Sequence, residues 1–209
     1  MLERNKNKTM KILHLISSLR GDASFSNKLG NSIIEQLAAK YPIEVKERNL
    51  ASAPLAHLSD AHVTAFFTPE HERTAAQIEI IRPSDEAIAE LLNADILIID
   101  VPMYNFTIPS TIKAWIDQIA RAGITFRYGE NGVEGLVTNK KAYLAISTGG
   151  IYSEGYMKDF DHTEQYLRHV LGFLGITNME VFRVGGVNLS EAKEDVLSKA
   201  KQHVEEFDF

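Results

Sequence analysis

The residues best suited to chemistry lie in Pro102-Met103-Tyr104-Asn105-Phe106-Thr107-Ile108-Pro109. Met103, Tyr104 and Phe106 offer apolar surface on which a flat ring can lie, and the Asn105 carboxamide both donates and accepts hydrogen bonds. Two other stretches complement it. Ser18 to Ser26 is a polar turn that brings Ser18, Ser24 and Ser26 ahead of an amphipathic run beginning at Phe25. If that run is helical, its first amides and the positive end of its dipole make an anion seat, the dipole contributing up to ~2 kcal/mol. Ser147-Thr148-Gly149-Gly150 adds hydroxyls and a backbone bare enough for close approach by a planar group. An anion seat, a stacking wall and hydrogen-bonding edges describe a site for a mononucleotide whose base is a large flat heterocycle. Flavin mononucleotide (FMN) fits better than a dinucleotide, because the first turn lacks the G-x-G-x-x-G spacing and no Walker lysine is present.

Elements must bring these stretches together, and the hydrophobic pattern supplies them. Lys11–Ser17, Ile43–Arg48, Ile96–Val101, Lys140–Ser147 and Asn178–Val184 read as strands, the third as an interior strand because it is short, apolar and rich in β-branched residues. Ile43–Arg48 alternates instead, as an edge strand does. Helical spacing covers Phe25 to Lys40, Ser110 to Gly123, Thr163 to Leu174 and Ser190 to about Glu206. Between the second and third strands, a short helix is expected at Asp60 to Phe67. A longer one follows at Glu70 to Leu92, with Pro83 kinking or restarting it. Two extended pieces around Asn131-Gly132 read as a β-hairpin. Strand and helix alternate, so the fold class is α/β: a flavodoxin-like three-layer sandwich around a five-stranded parallel sheet of order 2-1-3-4-5. That order sets the carboxyl ends of strands one, three and four side by side, where open parallel sheets bind ligands.

Composition narrows the classes further. With 209 residues, 44% of them apolar, one domain over residues 10–209 is expected, behind a polar, disordered leader at 1–9. The absence of cysteine removes disulfides and thiolate chemistry, so any redox reaction needs a bound cofactor. A net charge of -6 disfavours nucleic acid as a partner. No run is apolar and long enough for a membrane span or a signal peptide, so a cytoplasmic protein is expected. The histidines lack metal-ligand spacing and no metal is expected; His14, inside the first strand, reads as a core or interface residue. No G-x-S-x-G elbow or evident base supports a hydrolase. Each stretch alone has a plainer reading, as a helix cap, packed loop aromatics and a glycine turn. Their shared position at adjacent strand ends is what those plainer readings leave unexplained. Asp22 beside the anion seat is unfavourable unless it points outward or pairs with Arg20.

Several longer runs strengthen the functional reading: Pro102–Phe106, Ala120–Tyr128 with Glu130-Asn131-Gly132 and Glu134–Val137, Gly149-Gly150-Ile151 and Leu171–Ile176. Together they resemble the FMN-dependent NADH:quinone oxidoreductases, also called azoreductases, over roughly Met10 to the C-terminus. The resemblance implies a homodimer with one FMN per subunit at the dimer interface. It implies ping-pong reduction of quinones and azo compounds by NADH, with NADPH left open, the flavin carrying the chemistry and no side chain acting as acid or base. By position, Ser18, Ser24, Phe25 and Ser26 would hold the phosphate and ribityl chain. Met103, Tyr104, Asn105 and Phe106 would frame the ring, and Ser147, Thr148, Gly149 and Gly150 would line its polar edge. Phe126, Tyr128, Tyr152 and Phe173 would shape the substrate pocket. Some relatives carry arginine where this chain has Thr148 and histidine where it has Tyr152, which leaves substrate preference open. A flavodoxin-type electron carrier and a flavin-free interaction domain are the rival classes, separated by colour and by NADH oxidation.

Overall fold

The computed structural model describes residues 8–130, 132–189 and 193–209. Residues 1–7 of the expected leader, Asn131 of the expected hairpin turn, and Ser190, Glu191 and Ala192 at the expected start of the last helix lie outside the described residues.

Alternating burial assembles the sheet. The strands are β1 (Met10–Ile16), β2 (Ile43–Asn49), β3 (Ile96–Pro102), β4 (Phe126–Gly129), β5 (Gly132–Gly135), β6 (Lys141–Ser147) and β7 (Asn178–Val184). Five run parallel in the order β2-β1-β3-β6-β7, whereas β4 and β5 form a separate antiparallel hairpin. The expected order 2-1-3-4-5 therefore matches only when the hairpin strands are left out of the count. Every residue of β3 is buried, as a strand covered on both faces requires, and β2 at the edge is largely exposed.

Among the described residues, six α-helices cover the sheet and its excursions: α1 (Phe25–Lys40), α2 (Asp60–Phe67), α3 (Ala75–Asn93), α4 (Ser110–Ile119), α5 (Thr163–Leu174) and α6 (Lys193–Glu206). Successive strand residues point to opposite faces. Ile12, Ile98 and Tyr143 pack with Leu29, Ile33 and Leu197 of α1 and α6, whereas Leu13, Ile99 and Leu144 pack with Leu91, Trp115 and Leu171 of α3, α4 and α5. The result is the expected three layers.

Two helices differ from the sequence reading. α3 begins at Ala75 rather than Glu70, because Thr74 and Gln77 close a capping box: Gln77 N–H donates to Thr74 Oγ1 (3.2 Å) and Thr74 N–H to Gln77 Oε1 (2.9 Å). It then runs through Pro83 without a break, and the next residue, buried Ser84, donates from Oγ to the Gln118 carbonyl (2.6 Å). α4 stops at Ile119, four residues before Gly123, because Thr125 Oγ1 takes the Arg121 amide (2.9 Å) and donates to the Ile119 carbonyl (2.6 Å). The buried Arg121 guanidinium turns back to Ser84 (3.1 Å) and Asp85, with the Phe66 ring 4.6 Å away.

Candidate functional site

Strand register brings the three loops together. Ile16 of β1 lies opposite Asp100 of β3, Pro102 of β3 opposite Ser147 of β6, and Ser147 opposite Val184 of β7. The loops therefore leave the sheet at one edge. Two cross-links join them: Met103 N–H donates to the Ser147 carbonyl (2.8 Å), and Leu19 N–H reaches the Tyr104 hydroxyl (3.4 Å).

The first loop ends in a capped helix. Ser24 Oγ accepts from the Asn27 amide (3.3 Å) and the Ser24 carbonyl accepts from the Lys28 amide (3.1 Å). Ser24 is thus the cap residue, and its hydroxyl also meets that of buried Ser26 at 3.0 Å. The amides of Phe25 and Ser26 have no partner among the described residues, as the first turn of a helix leaves them. Ser18 is buried and accepts the Arg20 amide (3.3 Å). Asp22 is exposed, which meets the condition for an anion seat beside it.

The second loop is a tight left-handed turn. Tyr104 and Thr107 exchange two backbone hydrogen bonds (3.0 and 3.2 Å), and Asn105 and Phe106 between them have φ of 48° and 72°. Positive φ at both central residues is the signature of a type I′ turn; asparagine tolerates it, but phenylalanine does so only under strain. The Phe106 ring is 44% exposed, so burial alone does not hold it there. Its carbonyl accepts the His162 amide (3.0 Å), and its ring leans on Tyr152 and Phe160 at 6.3 and 5.8 Å between centroids. Strain of this kind collects where a loop must present its groups to a ligand.

The carbonyls of the third loop are engaged by the segment that follows β7. Thr148, Gly149 and Gly150 accept amides from Val187 (3.2 Å), Asn188 (3.0 Å) and Gly186 (2.9 Å), and Thr148 Oγ1 donates to the Gly150 carbonyl (2.7 Å). The N–H groups of Gly149 and Gly150 remain without partners among the described residues, as do those of Asn105 and Phe106. A Cβ on Gly149 would press on the Asn188 side chain, and one on Gly150 on the Tyr152 ring. Three pairs of amides without partners among the described residues therefore lie on loops at the same end of the sheet, groups of the kind that hold anions and the electronegative rim of a heterocycle.

Of the expected residues, Ser18, Ser24, Phe25, Ser26, Met103–Phe106, Ser147–Gly150 and Tyr152 gather at this edge. Phe126, Tyr128 and Phe173 do not. They form their own cluster, with Phe126 4.6 Å from Phe173 and 5.7 Å from Tyr128, and Tyr128 is 75% exposed. The start of α5 is tied to Phe106 through His162, and Phe173 lies ten residues further on, which is ~15 Å along the helix axis.

Sequence reasoning missed two features. A cavity of about 670 Å³ opens beside Tyr104 and Asn105, walled by Leu19, His57, Lys113 and Tyr166 among others. That size suits a small organic molecule. Lys113 and Tyr166 belong to the first turns of α4 and α5. The second feature is Asp100, a carboxylate inside the most apolar strand; it is wholly buried against His14, Nε2 to Oδ2 2.7 Å. The expectation that His14 is a core residue is met, with this partner.

Known proteins agree with this architecture. A family model described as flavodoxin-like fold matches residues 10–207. A protein of Mesorhizobium japonicum named FMN-dependent NADH:quinone oxidoreductase is 44% identical over 198 residues, covering 94% of each chain. One of the same name from Herminiimonas arsenicoxydans is 41% identical, covering 94% of this chain and 97% of its own. Among solved structures, an azoreductase of Bacillus anthracis superposes with a TM-score of 0.85 at 26% identity, covering 94% of this chain and 97% of that one.

Proposed function

From the premise that the chain belongs to the family of FMN-dependent NADH:quinone oxidoreductases, within the flavodoxin-like fold, we propose that it is an FMN-dependent oxidoreductase that uses NADH to reduce quinones and azo compounds. The observation that supports this reading is the presence of three pairs of unpartnered backbone amides on loops that leave the same end of the sheet, two of them joined by the Met103–Ser147 hydrogen bond.

The residues present fit FMN. The amides of Phe25 and Ser26, with Ser18 and Ser24 behind them, would hold the phosphate and ribityl chain. Amides contribute most, because the Ser24 hydroxyl is committed to the helix cap. Met103, Tyr104, Asn105 and Phe106 would frame the ring, and Ser147, Thr148, Gly149 and Gly150 would line its polar edge. When bound, FMN would supply the two-electron redox chemistry between NADH and the second substrate, in a ping-pong cycle. The chain's own part is to bind, orient and exclude water. Unpartnered N–H groups at Asn105, Phe106, Gly149 and Gly150 stabilise negative charge developing at the edge they face, and no side chain is required as acid or base.

The cavity beside Tyr104 gives the second substrate its space, between Leu19 and His57 on one side and Lys113 and Tyr166 on the other. The Phe126, Tyr128 and Phe173 cluster lies too far along α5 to cover the same chain's cleft, which favours a homodimer in which each subunit's aromatics cover the partner subunit's cleft. The test is a visible spectrum of the purified protein, then anaerobic addition of NADH, then of benzoquinone or an azo dye. Yellow protein that bleaches with NADH and recovers with acceptor is expected. Protein that stays colourless in excess FMN refutes the proposal, and colour without NADH bleaching assigns an electron carrier instead.

A further inference from the structure

His14 and Asp100 form an acid–base pair with both side chains at 0% exposure, in the middle of a parallel sheet. Stability does not account for it. A buried ion pair is often no better than apolar residues of the same volume, and this one leaves His14 Nδ1 and Asp100 Oδ1 without hydrogen-bond partners among the described residues. Burial pushes the Asp100 carboxyl above the usual carboxylate range, against the pull of His14. The pair is costly, and its position explains what it does.

Both residues point to the face covered by α1, between Ile12, Ile96 and Ile98 on that side of the sheet. Asp100 Oδ1 lies against Gly30, where a Cβ would overlap the carboxylate and approach His14 Nε2 to 3.1 Å. Gly30 is on the buried stripe of α1, one turn below Ser26 at the anion seat. The backbone of the same aspartate holds the other wall of the seat: Ser17, the first residue after β1, donates from Oγ to the Asp100 carbonyl (2.6 Å). One residue therefore touches the helix that supplies the free amides and the loop that faces them.

We propose that His14 and Asp100 are positioning residues for the anion seat: the carboxylate, held in place by His14, sets the height of α1 on Gly30, while its carbonyl fixes Ser17. This rests on the FMN reading above. The pair does not touch the phosphate; it acts through α1 and Ser17.

The test compares FMN with riboflavin, which lacks the phosphate, by fluorescence titration of the full-length chain stripped of flavin. The ratio of the two dissociation constants reports the seat itself, and a loss of general stability does not move it. Three variants are used: Asp100→Ala, Gly30→Ala, and the apolar pair His14→Val with Asp100→Val, which restores packing without the carboxylate. Misplacing one charge-assisted hydrogen bond to the phosphate lowers the preference for FMN about tenfold, and that is the drop expected in all three. Asp100→Asn keeps the shape and still accepts from His14, so it should retain the wild-type ratio within about threefold. Ser84→Ala, at the remote α3–α4 contact, should lower the melting temperature and leave the ratio unchanged.

An apolar-pair variant with the wild-type ratio would overturn the proposal, as would a tenfold loss in Asp100→Asn. If the wild-type chain itself shows no preference for FMN, this proposal and the FMN reading fall together. If it prefers FMN and the three variants keep that preference, only the positioning role falls.

Discussion

Replacing Phe106 with glycine separates a packed loop residue from a ligand-presenting one. The phenylalanine sits at φ 72°, where a non-glycine residue costs ~1 to 2 kcal/mol that glycine does not incur. Glycine loses more freedom on folding, which returns about 0.5 to 1 kcal/mol of that gain. The ring is 44% exposed. About half of a ~200 Å² side chain is therefore covered, and at ~25 cal/mol per Å² its removal costs no more than ~2.5 kcal/mol. The net destabilisation is about 2 kcal/mol, which for a chain of this length lowers the melting temperature by roughly 4 to 8 °C. Flavin affinity should suffer more. The ring belongs to the proposed stacking wall, and with it goes the side chain that anchors the turn against Tyr152 and Phe160. We expect at least about a tenfold weaker FMN dissociation constant, near 1.4 kcal/mol, in fluorescence titration alongside thermal unfolding of the flavin-free protein. FMN affinity within threefold of wild type would refute the argument that the strained turn is kept for the ligand.

Other expectations follow from the same geometry. Gly150→Val places a Cβ 3.2 Å from the Tyr152 ring and adds bulk beside the free amide, so flavin content after purification should fall; full occupancy and turnover would count against this loop. Phe173→Ala should alter the relative rates with quinones and azo dyes while flavin content holds, and an unchanged substrate profile would reject its place in the pocket. Glu164 resists the upward push of burial because Arg183 (2.6 Å) and Arg168 (2.7 Å) hydrogen-bond it, and its carboxyl lies below the usual range. A lowered folded value means that its stabilisation is complete above the ordinary glutamate pKa of about 4.3 and is lost as pH falls through the folded value. Glu164→Gln should therefore flatten the acid limb of a stability-versus-pH curve, and an unchanged limb would disprove the assignment.

The sequence made the site more legible than its surroundings because the site residues sit on strong signals. Ile96–Val101 is an unmistakable interior strand, and the loop that follows it contains its chemistry in consecutive residues. Helix α5, whose apolar spacing is clean and whose Gly175 takes φ 106° at its end, has the expected bounds. Prediction failed where tertiary contacts overrode local preference. Pro83 suggests a break, yet α3 continues past it, and Ser84 anchors the helix to the Gln118 carbonyl of α4. Ala120 to Gly123 reads as more helix, yet Thr125 and the buried Arg121 draw the chain into a turn. Leu19, His57, Lys113 and Tyr166 come from four separate segments, so no local pattern could announce the cavity they share.

The proposed dimer follows from a limit of the fold. A parallel sheet gathers its loops at one edge, and each helix then carries the chain to the other end, so the residues that close a helix cannot also cover the cleft where it began. α5 shows this directly: its first turn follows His162, which is bonded to Phe106, and its last carries Phe173. Gly135 of the hairpin packs on Gly175 just beyond that last turn, and Val137 N–H donates to the Leu174 carbonyl (2.8 Å), so Phe126 and Tyr128 are held at the far end as well. Within one chain these aromatics have no flat ligand to meet. A second copy in antiparallel arrangement would set its far end against the first copy's cleft, so a variant that dissociates the dimer should keep FMN and lose turnover. A monomer with full quinone and azo reductase activity would show that one chain closes its own site.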